Sequence, residues 1–311
     1  MYSEKGKGML QKIAPLDITL YLREKRALVD TFLKSYFTNS FSPPVLYDAM
    51  KYSLFAGGKR IRPILTFASY EACGGNPEDI IPQATAVELI HTYSLIHDDL
   101  PAMDDDELRR GKPTNHKVFG EAIAILAGDA LLTESFLMMT GTTSNGKKLK
   151  PTYLMNAIIE IASAAGACGM VGGQVQDILS ESSEPDINTL YFIHLHKTAA
   201  LIKASVRIGA ILAGARRNKL KVLTRYGENI GLAFQIIDDI LDIEGKTEEL
   251  GKSAGSDIKK NKMTYPSLIG IEESRKKAQD LVYEGVDALR IFSFEADPLR
   301  EIARYLLKRR T

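Results

Sequence analysis

The sequence predicts an all-α protein: a single large bundle of about ten helices around a central cavity. Apolar residues recur along the chain at the spacing of one helix face. Alternating β-branched runs joined by hairpin turns do not recur. The length of 311 residues corresponds to about two average domains, but no long Pro- or Ser-rich linker divides the chain. We therefore expect one domain over residues 1–311, with 1–14 as a flexible N-terminal segment.

The helical spacing continues from the first segment to the last. In chain order it is clearest at 16–20, 28–32, 87–94, 123–131 and 232–240. Connections rich in Gly, Pro and polar residues separate these segments, at 42–44, 74–77, 111–113, 141–151 and 184–186. The apolar run 157–173 contains Glu160 and many small residues, which predicts a buried, closely packed helix.

Composition and charge exclude several classes of protein. Forty basic residues against 39 acidic ones leave a net charge of +1, which argues against nucleic acid or an anionic membrane as a partner. Cys73 and Cys168 are too few and too far apart for a disulfide framework or a Cys-x-x-Cys metal site. We find neither a signal peptide nor a membrane-spanning run, and we expect a cytoplasmic protein.

The first candidate site is a cluster of six carboxylates within residues 98–107 that ends an apolar helix. On an ideal helix Asp98 and Asp104 would point about 120° apart. Pro101 cannot continue the helix and disfavours helical geometry at the residue before it. A break there would allow the chain to bulge and bring Asp104 back to the side that Asp98 faces.

The second acidic cluster lies about 140 residues later, where Asp238 and Asp242 occupy one face of an apolar helix at i and i+4. Like charges one turn apart repel, and partial burial makes that repulsion more costly. Divalent cations that take oxygen ligands and share substrate phosphates, as Mg²⁺ does, would relieve it. The alternative, that both clusters are solvated helix ends, stays open at this point.

Basic residues complete a pattern suited to phosphorylated ligands. The arginine guanidinium binds phosphate oxygens in a bidentate manner. We expect a pocket for two phosphorylated ligands, with cations from the stretches GGKRIR (57–62), Arg109-Arg110, Lys197-Thr198 and 252–262.

Competing motif interpretations fail on spacing. A P-loop ending at Gly251-Lys252-Ser253 would require glycine where Lys246 stands. No window through the first cluster supplies the alternating ligands and central glycine of an EF-hand. A His97-Asp98 metal phosphohydrolase pair would need a histidine far upstream, but the first histidine is His91.

Taken together, the motifs resemble those of the trans-isoprenyl diphosphate synthases, the polyprenyl synthetase family. The resemblance extends from about 48 to 310 and includes GGKRIRP, HTYSLIHDDLPAMDDDELRRGKPTNH, GGQVQD, HKTAAL, FQIIDDILD, GKSAGSD and KMTYP. The first motif has four residues between its second and third aspartates, which is most similar to bacterial farnesyl diphosphate synthases. This resemblance implies the isoprenoid synthase fold, a homodimer and Mg²⁺ as cofactor, with Mn²⁺ as a substitute.

The resemblance also implies a reaction and a set of roles. Isopentenyl diphosphate would condense with dimethylallyl diphosphate and then with geranyl diphosphate, giving farnesyl diphosphate (C15). Three Mg²⁺ would be held by Asp98, Asp104 and Asp238, with Asp99, Asp242 and Asp177 in support. The allylic diphosphate would be bound by Arg109, Lys197, Lys252 and Lys262, and isopentenyl diphosphate by Gly58, Lys59, Arg62, His91 and Arg110. Lys197, Thr198, Gln235 and Gln174 would face the reacting carbons, whereas His194 and His196 are expected to be structural or surface residues.

Product length is expected to depend on the helix that precedes the first motif. The resemblance implies that Tyr93 forms the floor that stops elongation, although Ser94 lies more nearly beneath Asp98 on an ideal helix. Geranylgeranyl diphosphate (C20) is the alternative product. A class I terpene cyclase and a non-catalytic partner subunit are the alternatives from other classes, but the second motif differs from that of a cyclase and both acidic motifs are intact.

Overall fold

The computed structural model describes residues 16–38, 43–142, 146, 148–181, 184, 186–244 and 262–309. Within these residues, twelve α-helices of seven or more residues and two of five residues make the structure 78% helical, which confirms the all-α prediction. Within these ranges the strands are limited to the two-residue pair Leu108–Arg109 and Lys112–Pro113, which is antiparallel. The predicted flexible segment 1–14 lies outside the described residues.

The helices are numbered here in chain order. They are α1 Ile18–Tyr36, α2 Pro44–Leu54, α3 Ile61–Ala72, α4 Ile81–Asp98, α5 Asn115–Phe119, α6 Glu121–Thr140, α7 Pro151–Ala165, α8 Met170–Ser180, α9 Ile187–Ile193, α10 Ala200–Leu212, α11 Arg217–Glu244, α12 Tyr265–Ile269, α13 Ile271–Ala288 and α14 Asp297–Leu306. A π-helical turn, His194–Ala199, joins α9 to α10. The predicted number of about ten is close to the twelve longer helices, and the five-residue helices α5 and α12 are too short to show a helical period.

The buried side chains form two apolar clusters. One cluster centres on α4 and α6, and the other on α10, α11 and α13. Helix α4 is buried along most of its length and contains Pro82 in its first turn, where a missing N–H costs nothing. Helix α11 is 28 residues long and presents its second half to the same interior space as the end of α4.

Two glycines allow the π-helical turn to pack closely against its neighbours. A Cβ at Gly173 on α8 would lie 2.2 Å from the backbone nitrogen of Lys197. A Cβ at Gly231 on α11 would lie 2.7 Å from the Cα of Ala199. Substitution at either position would push the turn out of place, so these glycines help to set the position of Lys197 and Thr198.

The prediction of one buried helix over 157–173 was wrong. The segment is split between α7 and α8, with a turn between Gly166 and Gly169. Ile159 and Val171 within it are 56% and 45% exposed. By length and composition alone, Glu121–Thr140 and Pro151–Ser180 are each apolar enough to cross a membrane, and only about a third of either window is buried within the chain.

Candidate active site

A cavity of about 920 Å³ lies between the end of α4 and the second half of α11. Asp98 and Asp104 line one side of it, and Asp238 and Asp242 line the other. The two acidic clusters, about 140 residues apart in sequence, therefore face each other across one shared space. This arrangement disfavours the alternative in which both clusters are solvated helix ends.

The break predicted at Pro101 is confirmed. Helix α4 ends at Asp98, and the backbone N–H of Asp104 donates to the carbonyl oxygen of Asp98 over 2.8 Å. This bond closes a loop that brings the two carboxylates to the same side. Across the cavity, Lys262 donates from Nζ to Oδ1 of Asp104 over 2.7 Å.

The second cluster contacts a cation that the sequence interpretation missed. Arg309 Nη1 lies 3.0 Å from Oδ1 of Asp238, and its guanidinium carbon is 4.5 Å from the ring centroid of Phe234. Asp242 is buried. Arg309 belongs to no recognisable motif, and its distance along the chain from Asp238 left no local signal.

Burial makes the first cluster electrostatically unusual. Desolvation raises the pKa of Asp98 to about 6, although the nearby Lys197 opposes the shift. Desolvation also raises the pKa of Asp99 to about 6, despite its ion pair with Arg109. Asp99 accepts from Arg109 Nε over 2.9 Å and does not line the cavity, so here it holds Arg109 in place.

A second positively charged region lies beside the acidic walls. Arg62 is buried, and burial lowers its pKa to about 10, so the guanidinium still carries its charge at neutral pH. Arg62 Nε has no hydrogen-bond partner among the described residues, which leaves a buried donor available to an anion. Burial and the nearby Arg62 and Arg110 hold the pKa of His91 well below its usual range, so His91 is neutral.

The glycine-rich stretch before α3 is close to this region without lining the cavity. Arg110 donates from Nη1 to the carbonyl oxygen of Gly57, and its guanidinium packs directly against Gly58. Desolvation and the charge of Arg309 lower the pKa of Lys59 to about 8. Gly58 and Lys59 are not among the cavity-lining residues. Lys252 lies outside the described residues.

The π-helical turn directs two side chains into the cavity. Lys197 Nζ donates to Oδ2 of Asp177 over 2.6 Å, and Thr198 Oγ1 donates to Oε1 of Gln235 over 2.7 Å. Gln174 also lines the cavity, and its Oε1 is buried without a hydrogen-bond partner among the described residues. These positions suit contact with a ligand at the centre of the cavity.

The two histidines of this region, both expected to be structural or surface residues, have different surroundings. His194 is buried and lines the cavity, and its Nε2 lies 3.5 Å from Oδ2 of Asp239. Burial lowers the pKa of His194 to about 3. His196 stacks on Phe192, with ring centroids 3.9 Å apart. Both histidines have structural packing roles, and His194 has its role at the cavity wall.

Tyr93 and Ser94 both line the cavity one to one and a half turns before Asp98. The Tyr93 ring meets the His97 ring edge to face, with centroids 5.7 Å apart. His97 Nε2 in turn lies 3.0 Å from the carbonyl oxygen of Ile125 on α6. The tyrosine is thus supported from behind by α6.

Acidic and basic side chains thus line one cavity, and residues 43–288 match the model of the polyprenyl synthetase family. The chain belongs to this family. It is 48% identical to a geranylgeranyl diphosphate synthase of Cyanophora paradoxa, with 94% of this chain and 97% of that protein covered. It is 50% identical to a dimethylallyltranstransferase of Fischerella ambigua, over 95% and 85% of the two chains. A solved FPP/GFPP synthase structure from Zymomonas mobilis matches with a TM-score of 0.82 and 35% identity, over 93% and 98%.

This polyprenyl synthetase is a prenyltransferase that elongates prenyl chains. The expectation of a C15 product finds less support, because the names of the relatives favour the C20 alternative.

Proposed function

We propose that this polyprenyl synthetase catalyses the Mg²⁺-dependent head-to-tail condensation of isopentenyl diphosphate with allylic diphosphates, and that its main product is geranylgeranyl diphosphate. Dimethylallyl diphosphate is the first allylic substrate, and geranyl diphosphate is an intermediate that is elongated again. The observation that carries the proposal is the pair of aspartate walls facing each other across one cavity, with cations on both sides.

The donor set at this cavity suits hard divalent cations. The ligands on offer are carboxylate oxygens of Asp98, Asp104 and Asp238, and we expect them to hold three Mg²⁺, with Mn²⁺ as a possible substitute. Among the described residues no group of three His, Cys, Asp or Glu side chains forms a protein-only metal cage. That fits ions that complete their shells with substrate phosphate and water. When bound, such ions supply Lewis acidity to the leaving diphosphate.

The cations of the chain itself act on the allylic diphosphate. When the allylic C–O bond breaks, its electron pair goes to the diphosphate oxygen and positive charge is left on carbon. Lys197, Arg109 and Lys262 then face growing negative charge, which they stabilise more strongly in the transition state than in the ground state. Lys252 joins this group in the proposal on the strength of the family motif.

Isopentenyl diphosphate occupies the neighbouring basic region. Arg62 and Arg110 supply charge, while the neutral His91 serves as a hydrogen-bond donor to the same diphosphate. Lys59 and Gly58 form the edge of this subsite. The double bond of isopentenyl diphosphate attacks the allylic carbon, and the released diphosphate accepts the proton that is lost. Exclusion of water protects the cation from hydrolysis during this step.

Two observations support the C20 product. The relative from Cyanophora paradoxa is named a geranylgeranyl diphosphate synthase. In addition, the residue one helical turn before Asp98 is the small Ser94, whose hydroxyl turns back to the carbonyl oxygen of His91 over 2.9 Å. The wall beneath Asp98 therefore leaves room for a longer chain, while Tyr93 stands beside that space against His97.

The test is a product assay with Mg²⁺, dimethylallyl diphosphate and labelled isopentenyl diphosphate. A labelled C20 diphosphate supports the proposal, whereas C15 as the main product overturns the chain length alone. A cyclic hydrocarbon would identify a terpene cyclase, and no product would identify a non-catalytic partner subunit. Asp238→Asn should lower the rate about 10²-fold or more, whereas Asp280→Asn, an exposed carboxylate on α13, should leave it unchanged.

We further propose a homodimer that covers the outer faces of α6, α7 and α8. Leu126 and Leu137 on α6 are 53% and 61% exposed and lie on one face about three helical turns apart. The exposed apolar residues on the two neighbouring helices that do not line the cavity are Met155, Ile159 and Leu179. A large exposed apolar surface marks an interaction site, and we propose that a second copy of this chain covers it, as the resemblance to a dimeric family implies.

The dimer is tested by light scattering after size exclusion. The wild type should have twice the mass of the chain, and Leu137→Glu should shift it to the monomer. Tyr283→Glu on α13, a residue 67% exposed, is the control that should stay dimeric. A monomeric wild type that co-sediments with phospholipid vesicles would assign these helices to a membrane instead.

A further inference from the structure

A hydrogen-bonded chain runs along the wall of the cavity, from the π-helical turn through α11 to α12. Thr198 donates to Oε1 of Gln235, and Gln235 donates from Nε2 to Oδ1 of Asp239 over 3.0 Å. The other carboxylate oxygen of Asp239 accepts the backbone N–H of Tyr265 over 3.0 Å. Asp239 is 3% exposed, so these bonds lie away from bulk water.

The Asp239 carboxylate determines which group donates and which accepts in each hydrogen bond from Thr198 to Asp239. An ionised carboxylate accepts hydrogen bonds and cannot donate them. The amide of Gln235 must therefore turn its NH₂ group to Asp239, which leaves its oxygen facing Thr198. The single hydroxyl proton of Thr198 is then used on Gln235, and the oxygen lone pairs of Thr198 are left for the cavity.

From this geometry we propose that Asp239 is a positioning residue for the prenyl transfer: acting through Gln235, it orients the Thr198 hydroxyl so that its oxygen faces the allylic cation. The inference rests on the proposed condensation, because only an ionising substrate develops positive charge at this place. A fixed dipole with its negative end toward the cation stabilises the transition state without reorganising at the moment of reaction. Neighbouring hydrogen bonds in a chain also polarise one another.

This role separates Asp239 from the aspartates beside it. Asp238, Asp239 and Asp242 all line the cavity, and Asp238 and Asp242 are one helical turn apart on α11, as the metal proposal requires. Asp239 instead has Oδ1 bonded to a side chain and Oδ2 bonded to the backbone of another helix. Its carboxylate is thus committed to protein groups, although its position in the sequence motif alone would group it with the metal ligands.

The decisive variant is Asp239→Asn, because the structure predicts which way the new amide must face. The N–H of Tyr265 cannot change from donor to acceptor, so the Asn oxygen has to stay on that side. The Asn NH₂ then faces Gln235, whose amide must turn its oxygen to Asn and its NH₂ to Thr198. Thr198 would become an acceptor, and its hydroxyl proton would point into the cavity toward the cation.

We expect the single-turnover rate of Asp239→Asn to fall about tenfold or more. The KM values for both diphosphates and the half-saturating Mg²⁺ concentration should stay within about twofold of the wild type. Single-turnover rates are needed because product release often limits steady-state turnover. As a readout independent of turnover, the rise in Tm on adding Mg²⁺ with inorganic diphosphate should be the same in both proteins. Asp238→Asn is the matched control, and it should lose most of that rise.

A double-mutant cycle tests whether Asp239 acts through Thr198. Thr198→Val removes the hydroxyl and Thr198→Ser retains it, so the valine variant should be slow and the serine variant close to the wild type. Adding Asp239→Asn to Thr198→Val should cost less than about twofold more. If Asp239→Asn does not fold, Gln235→Met breaks the same chain and leaves the bond from Tyr265 to Asp239 intact.

Three results would overturn the inference. They are an unchanged single-turnover rate in the variant, a raised Mg²⁺ requirement with full rate at saturating metal, and independent costs in the double-mutant cycle. A wild type that forms no prenyl diphosphate would instead overturn the proposed function. The two failures are therefore distinguished by the wild-type product assay.

Discussion

Replacing Asp98 by asparagine should stabilise the metal-free protein. Desolvation raises the pKa of Asp98 from 3.8 to about 6 in the folded protein, net of the attraction of Lys197. A carboxyl whose pKa is raised by folding binds its proton more tightly in the folded state. Its contribution therefore opposes folding at neutral pH, and this opposition disappears as the pH falls through about 6 and then through the unfolded value.

The size of the effect follows from that difference. One pKa unit corresponds to 1.36 kcal/mol, so an ionised Asp98 costs about 3 kcal/mol of stability above pH 6. For a chain of this size 1 kcal/mol moves the Tm by about 2 °C, so Asp98→Asn should raise the Tm by about 6 °C at pH 7.5 in EDTA. At pH 5 about half of this gain should remain, since the folded protein is then largely protonated at this position.

Binding of Mg²⁺ and inorganic diphosphate should make the wild type more stable than Asp98→Asn. Mg²⁺ with inorganic diphosphate at about 1,000 times its Kd would stabilise the wild type by about 4.1 kcal/mol, which exceeds the advantage of about 3 kcal/mol that Asp98→Asn has without ligand. Asp98→Asn should gain much less, since a neutral amide is a poorer ligand for a divalent cation. Differential scanning fluorimetry of both proteins, with and without ligand at both pH values, measures the Tm of each under all four conditions.

Asp280→Asn is the control for the loss of one negative charge, because Asp280 is exposed on α13. Its Tm should stay within about 1 °C of the wild type in EDTA at both pH values. A metal-free Asp98→Asn protein with an unchanged or lower Tm at pH 7.5, or with a gain that does not depend on pH, would refute the argument from desolvation.

Three further outcomes follow from the cavity and the basic residues beside it. Tyr93→Ala should lengthen the product because it removes a side chain from the cavity wall before Asp98. Ser94→Phe should shorten the product to C15 because it adds a large ring to the same wall. If the product chromatogram of either variant is unchanged, that residue does not control product length. Because the pKa of Lys59 is lowered to about 8, its charge is lost as the pH rises through 8. The KM for isopentenyl diphosphate should therefore rise above that pH in the wild type and much less in Lys59→Arg. Arg309→Ala should lower several-fold the Mg²⁺ concentration that gives half of the thermal shift, because Arg309 pairs with Asp238 in the absence of metal. A higher Mg²⁺ requirement in this variant would instead show that Arg309 helps to bind the ligand.

The sequence was most informative where short-range rules apply. Helical periodicity predicted the all-α class, and Pro101 predicted the end of α4 and the return of Asp104 toward Asp98. The i and i+4 spacing placed Asp238 and Asp242 on one face of α11. Each of these properties depends on the geometry of a single helix or loop, which the local residues determine.

Local pattern could not show what each neighbouring aspartate contacts. Asp98 lines the cavity, whereas the adjacent Asp99 turns to Arg109. Asp239 also lines the cavity, but its carboxylate bonds to Gln235 and to the backbone of Tyr265. Within each sequence motif, neighbouring aspartates are indistinguishable from one another. Their surroundings differ because successive residues on a helix point about 100° apart and meet different neighbouring elements.

By itself, then, the sequence determined the helical class, the acidic motifs and the likeness to one family of prenyl-transferring enzymes. The tertiary structure decided that the two motifs share a cavity, that Arg309 reaches Asp238, and that apolar faces of α6 to α8 remain exposed. The physical reason is that such contacts join residues far apart in the chain. They depend on how whole helices pack, and the pattern within any one helix carries no record of its partner.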